Sequence, residues 1–481
     1  MRPPRARVLT LTVALSLVAL ASCFADEGED IDLPPFMPVS QAVETEVGLL
    51  VGAWPPTVGA ERGATRLDSR TLEELPGRAP LQQATMDPTG RWVAALDPRP
   101  SRNGLTDVLV YNLETWELAW RADELPVGEL QWDRSGLYLW ADSCPDPLTG
   151  GACAAPWIRG VWRLDATGVE ELARFDFAPF VRTRNIGPDG TRAYVVGAET
   201  QVCCGIAIEG DPFVAVINLE TGAIESRVML PGFQLGQPGD WLGRTDLLFG
   251  GSYWPAAVLS SDGGRMYVVH AERDEVTSVD LNAGQVDTTY SFANADDVAS
   301  RLGAWLVDRL ARTAEAKMSA EYIRRVGISP DGRYLFVSGS EPTQGPEDLA
   351  EDTLPPLGPS GLAVIDLETM HVVYRDAQTW GFTLAPDGYS LLTWGYPSYA
   401  AGIPTGLQVV DLRTMTSRQL FDGHLVTAAL ASPSGRVAFA EIAGLQPGKV
   451  RIVAFDVATG GVTAEQSLHE YEWVIGLAPG R

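Results

Sequence analysis

With 481 residues, 45% of them apolar and only 20% charged, the chain has the composition of a folded protein and not of a disordered one, and its length allows several domains or one repeat array. The 49 glycines and 34 prolines ask for many turns between short elements. Sixty-two acidic against 36 basic residues leave a formal charge of −26, which repels phosphate backbones and excludes nucleic acid as an expected partner.

The chain opens on Arg2, Arg5 and Arg7, then an apolar run from Val8 to Ala21 too short to span a bilayer comfortably, then small residues before Cys23. Residues 1–22 therefore read as an export signal. Leu20-Ala21-Ser22-Cys23 resembles the bacterial lipobox. That resemblance implies cleavage before Cys23, diacylation of its thiol and acylation of the new amine, enough acyl chain for stable anchoring on a membrane. Phe24 stands where an Asp would signal inner-membrane retention, so the expected location is the bacterial envelope at the outer membrane, on its periplasmic or surface side. Residues 23–42, with Asp26-Glu27-Gly28-Glu29-Asp30 and the prolines up to Pro38, read as a solvated acidic tether.

Residues 43–481 repeat one unit. Its first half is a hydrophobic run, a tight turn and an alternating run, clearest in Ile328-Ser329-Pro330-Asp331-Gly332-Arg333-Tyr334-Leu335-Phe336-Val337. Pro presets φ and Gly supplies a left-handed residue, so each copy predicts a β-hairpin; equivalents begin at Asp87, Asp133, Gly187, Ser261, Ala385 and Ser432. The second half is a β-rich run ending in an Asx-hydrophobic-x-Thr turn, as in Asp366-Leu367-Glu368-Thr369, with copies at Asn112, Asp165, Asn218, Asp280, Asp411 and Asp456. One more such turn, at Asp68, lacks its hairpin, and the missing hairpin turn appears at the very end, where the run from Trp473 stops just after Ala478-Pro479-Gly480.

Four short strands per unit, at a spacing of about 45 residues where nothing is inserted, predict an all-β propeller. The orphan ends fit each other, the C-terminal strand serving as the innermost strand of a blade built by residues 43–76. This gives eight blades closed by pairing of the N- and C-terminal strands, or seven if the unit around Ser135 or Ser261 is not a true blade. The turn pattern resembles YVTN, WD40-like and TolB-like propeller repeats over nearly the whole mature chain, a resemblance that implies a fold and leaves function open.

The insertions between strands carry the rest. Cys144 and Cys153 fall in the middle loop of one unit, and Cys203 and Cys204 in the matching loop of the next, an even number in an oxidising compartment that predicts disulfides. Three pairings stay open, including a vicinal Cys203–Cys204 bond with Cys144–Cys153. Around residues 294–321 the period changes, and Val298, Leu302, Trp305, Leu306, Leu310, Ala314 and Met318 share one face of an expected helix. Antiparallel strands alternate direction, so every long insertion must lie at one end of the blades. That end gathers Trp241, Tyr253 and Trp254 and an acidic loop with Glu341, Glu347, Asp348, Glu351 and Asp352, the expected binding face for a cationic or amide-rich partner.

Catalytic, metal-binding and cofactor-binding residues are not expected. His270, His371, His424 and His469 are scattered, and the nucleophile-elbow, zinc, phosphate-loop, dinucleotide and haem motifs are missing from the sequence. The expected role is a membrane-anchored platform for an envelope protein partner. Two other classes stay in play: a propeller enzyme, lactonase-like or quinoprotein-like, and a lectin-like propeller that binds a glycan or small ligand.

Overall fold

The computed structural model describes residues 47–53, 64–68, 71–79, 82–87, 91–97, 105–126, 128–133, 136–143, 158–180, 183–202, 207–209, 211–235, 237–238, 252–293, 321–342, 357–395, 405–432, 434–443, 450–468 and 472–479. The export signal, the tether, all five cysteines and residues 294–320 of the expected helix lie outside them; Glu321 is the first residue of a strand, Glu321–Ile328, and not the end of a helix. Among the described residues the protein is all β, with no α-helix.

Eight of the nine sheets among these residues are built on a four-stranded antiparallel meander. In chain order their first strands are Gln82–Met86, Gly128–Asp133, the split pair Ala178–Pro179 and Asn185–Ile186, Ala256–Leu259, Glu321–Ile328, Gly381–Leu384, Leu425–Ala431 and Glu472–Pro479. The last of these pairs antiparallel with Val47–Ala53, so the eighth sheet joins the two ends of the described chain. The units around Ser135 and Ser261 each form a full four-stranded sheet. First strands of successive sheets touch: the first with the second, the third with the fourth, the fourth with the fifth, the sixth with the seventh, the seventh with the eighth, and the eighth with the first. The second and third are linked by Arg184 and Glu129 at 3.2 Å.

The first seven sheets bury both faces, which is why their central strands read as unbroken apolar runs. Side chains alternate across a strand, so neighbours enter different cores. Phe336 packs toward the sixth sheet while Leu335 and Val337 pack toward the fourth. Val195 faces the second sheet, Tyr194 and Val196 the fourth. The core is thus a series of apolar layers between successive sheets.

The turns behave as their residues dictate. Gly332 adopts φ 71°, open to glycine at little cost, and donates its N–H to Ser329 O at 2.8 Å, while Asp331 Oδ1 accepts from Arg333 N at 3.0 Å. In the second turn type, Asp366 Oδ1 accepts from the amides of Glu368 and Thr369 at 3.0 and 3.1 Å, and Asn112, Asn218, Asp280, Asp411 and Asp456 cap their own turns through the same oxygen. The residue after the Asx then ties the two turns together: Leu367 N donates to Arg333 O, Leu219 N to Thr191 O and Leu412 N to Tyr389 O, each at 2.8 Å. Both tight turns therefore lie at one end of a sheet, and the long connections leave from the other.

Two local departures shape that other end. The first strand of the third sheet is broken where Thr183 Oγ1 donates to Phe180 O at 2.8 Å and accepts from Val196 N at 3.0 Å, a side chain standing in for a ladder bond. The segment Ser252–Trp254 adds in parallel to the free edge of the first strand of the fifth sheet, setting Tyr253 opposite Tyr322.

Candidate binding face

Three connections meet at the end of the sheets that holds the long insertions. The turn from His270 to Asp274 joins the second and third strands of the fourth sheet, Ser252–Trp254 lies along the fifth, and Tyr334–Pro342 brings up Glu341. At their junction Arg324, 1% exposed, donates from Nε to His270 O at 3.3 Å and lies 3.3 Å from Asp274 and 3.5 Å from Glu341 through Nη2. A guanidinium this deep needs paired charge, because without Asp274 and Glu341 it would be stranded in a low-dielectric setting. Arg324 also lines a cavity of about 420 Å³ between the first strands of the fourth, fifth and sixth sheets, with Ala256, Ala257, Val326 and Phe382.

Next to this ion cluster stand two groups with spare hydrogen-bonding capacity. His270 is 3% exposed; Nε2 meets the Thr277 hydroxyl at 2.9 Å, which in turn meets Thr289 at 3.0 Å, and Nδ1 has no partner. Phe233 covers the imidazole at 4.3 Å between ring centres. Burial, reinforced by the Arg273 charge, lowers the imidazole to about 4, so it is neutral near pH 7. The Glu272 side chain is 13% exposed and neither carboxyl oxygen has a hydrogen-bond partner, although Arg273 Nε lies 3.3 Å away, out of hydrogen-bonding alignment. Burial raises the Glu272 carboxyl above the usual range.

The Tyr253 and Tyr322 rings stack at 5.4 Å with 15° between planes, close enough to Glu272 that its charge adds to the burial holding the Tyr253 phenol above its ordinary range. The arrangement is a buried carboxyl lacking donors beside two aromatic faces. Chemically it suits a cation that brings N–H donors, since a ring face attracts positive charge and the carboxylate accepts its hydrogen bonds.

Of the expected binding residues, the described chain contains Glu341, Tyr253 and Trp254; Glu341 stands beside Arg324, and the two aromatics have separate roles. Trp254 turns into the layer between the third and fourth sheets, 5.2 Å from Phe180, with its Nε1 buried and unpartnered, whereas Tyr253 joins Tyr322. Trp241, Glu347, Asp348, Glu351 and Asp352 lie outside the described residues, as do Cys144, Cys153, Cys203 and Cys204. His371 and His424 sit apart from this cluster, His371 exposed at the start of a strand and His424 bonded to its own turn. Glu272 and Arg324 were not singled out in the sequence. The available signal was His270-Ala271-Glu272-Arg273-Asp274, a turn dense in titratable groups, and an arginine inside an apolar strand.

No protein-family model matches the chain, and no curated protein matches it. Solved structures do resemble it. Dihydro-heme d1 dehydrogenase NirN is 13% identical with a TM-score of 0.52, over 92% of this chain and 78% of that one. The periplasmic gluconolactonase PpgL of Pseudomonas aeruginosa is 15% identical at 0.39, over 91% and 98%, and the Myceliophteria thermophila Cps50 (Swd1) β-propeller domain is 12% identical at 0.40, over 78% and 96%. The row of four-stranded antiparallel meanders among the described residues, with the likeness to NirN, makes the chain a β-propeller. At 13% identity that likeness speaks for the fold alone.

Proposed function

We propose that this chain is a lipid-anchored, extracytoplasmic propeller of eight blades that docks a cationic segment of a second envelope protein on the face holding Glu272. The eight meanders, with the 472–479 strand against 47–53, support closure of the ring by the last strand, which would leave no blade with an open edge at the seam. The lipobox-like run ending at Cys23 supports the anchor and an envelope location. The observation that carries the binding role is the Glu272 carboxyl, largely buried and without hydrogen-bond partners beside the Tyr253–Tyr322 stack. Glu347, Asp348, Glu351 and Asp352 follow the strand Tyr334–Pro342 in the sequence and supply further negative charge. A catalytic use of this cluster would ask His270 to act as a base. An imidazole held at about 4 is a weak base near neutrality, which favours recognition over proton transfer.

The test is co-purification from detergent-solubilised envelope at increasing salt, with Glu272→Gln, a short Gly-Ser turn in place of residues 343–354, and a Glu114→Lys, Glu220→Lys variant of the opposite end. The partner's affinity should fall with salt and by roughly ten-fold or more in Glu272→Gln, the size expected for a charged hydrogen bond. Retention by the first two variants and loss by the third would place the working face at the other end.

A further inference from the structure

A second recess lies away from Glu272, where the first strands of the first and second sheets approach the broken strand of the third. It has a volume of about 220 Å³ and is lined by Thr85, Glu129, Gln131, Trp132, Trp140 and Arg184, among others. Arg184 is only 9% exposed. Its Nη1 reaches Glu129 at 3.2 Å and its guanidinium lies 5.8 Å from the centre of the Trp140 ring, yet Nε, also buried, donates to nothing. Burial disfavours the cationic form of this side chain, and Glu129 and Asp142 compensate in part.

The second donor is fixed by elementary chemistry. An indole N–H can only donate, and Trp140 Nε1 lies 2.8 Å from the Gln131 amide, so the atom it meets is the amide oxygen. The Gln131 NH2 group is therefore at the other tip of the amide. Trp132 is held as a wall by its own bond from Nε1 to Thr85 O at 3.1 Å. A buried guanidinium N–H and an oriented amide NH2 thus serve one small recess with indole walls.

We infer that this recess binds a small monocarboxylate, its oxygens taken by Arg184 and Gln131 and its apolar body resting on the partly exposed Trp132 indole. A carboxylate supplies the acceptor that the Arg184 Nε lacks, and leaving a buried charged donor unmade is costly. Glu129, with its side chain 55% exposed beside the guanidinium, repels a second negative charge and selects against phosphate and dicarboxylates. The volume is below the roughly 300–1,000 Å³ of pockets for larger ligands, which limits the body to one ring or a short chain.

Benzoate binding to the full chain, followed by saturation-transfer NMR, tests this, with benzamide and inorganic phosphate as comparisons. Wild type should bind benzoate saturably below about 10 mM, and benzamide and phosphate at least about ten-fold more weakly. Arg184→Gln should lose binding. Because that variant alters a buried charge, Gln131→Glu provides the independent arm: it keeps an acceptor for Trp140 and replaces the amide donors by a negative group, so the chain should fold with an unchanged melting temperature and bind benzoate at least about ten-fold more weakly. No saturable benzoate binding by wild type, equal binding of phosphate, or wild-type affinity in folded Gln131→Glu would each overturn the assignment.

Discussion

His270 makes the stability of this propeller depend on pH in a way that one substitution should remove. In the folded protein its imidazole is lowered to about 4 by burial and by Arg273, while in an unfolded chain it titrates near the ordinary value of 6.5. Between these values the unfolded state holds a proton that the folded state does not, so stability from this group is present above about pH 6.5 and is lost as pH falls toward about 4. The difference, at about 1.4 kcal/mol per unit, amounts to about 3 kcal/mol in full and about 2 kcal/mol between pH 7 and pH 5. Glu272 acts oppositely: its raised carboxyl takes up a proton more readily in the folded state and recovers some stability on acidification. The two effects separate in His270→Gln, whose amide can still meet the Thr277 hydroxyl but does not titrate. Urea denaturation of both proteins at pH 7 and pH 5 should show the wild type losing about 2 kcal/mol more than the variant. An identical pH dependence in the two would refute the claim that burial keeps this imidazole neutral.

Two further outcomes follow from the sequence and the packing. Phe336 is fully buried in the layer between the fifth and sixth sheets, 5.9 Å from Phe382, so Phe336→Ala should cost about 3–5 kcal/mol by urea denaturation; a loss under about 1 kcal/mol would mean that this layer is not packed as described. Cys23→Ser should move the protein from the membrane fraction to the soluble fraction without changing its melting temperature, and wild-type protein recovered wholly in the soluble fraction would disprove the anchor.

The meander and both turn types were legible because their determinants lie within a few residues of one another. Asp366 caps amides two and three positions ahead, and Gly332 closes onto Ser329 three positions behind, so composition and spacing sufficed to place these hairpins. The same locality revealed the orphan strand at each end, and from it the pairing of 472–479 with 47–53. The unbroken apolar runs of the central strands mark burial on both faces, but they do not say which layer each side chain enters, because that depends on the sheet standing on either side.

The polar groups with unmet hydrogen bonds were beyond such reading. Arg184 and Glu129 are 55 positions apart, Arg324 and Asp274 are 50 apart, and Tyr253 meets Tyr322 only because Ser252–Trp254 adds to the edge of another sheet. Taken singly, each looks in the sequence like a solvated charge or a strand aromatic. Their desolvation and their partners come from the order in which sheets stack, and burial is what leaves an ordinary glutamate, histidine or arginine with an unmet hydrogen bond. The sequence by itself determined the repeat, its turns and the end from which the long connections leave. Only the tertiary structure decided where charge lies out of water, since the dielectric around a side chain is set by the neighbouring sheets and not by its neighbours along the chain.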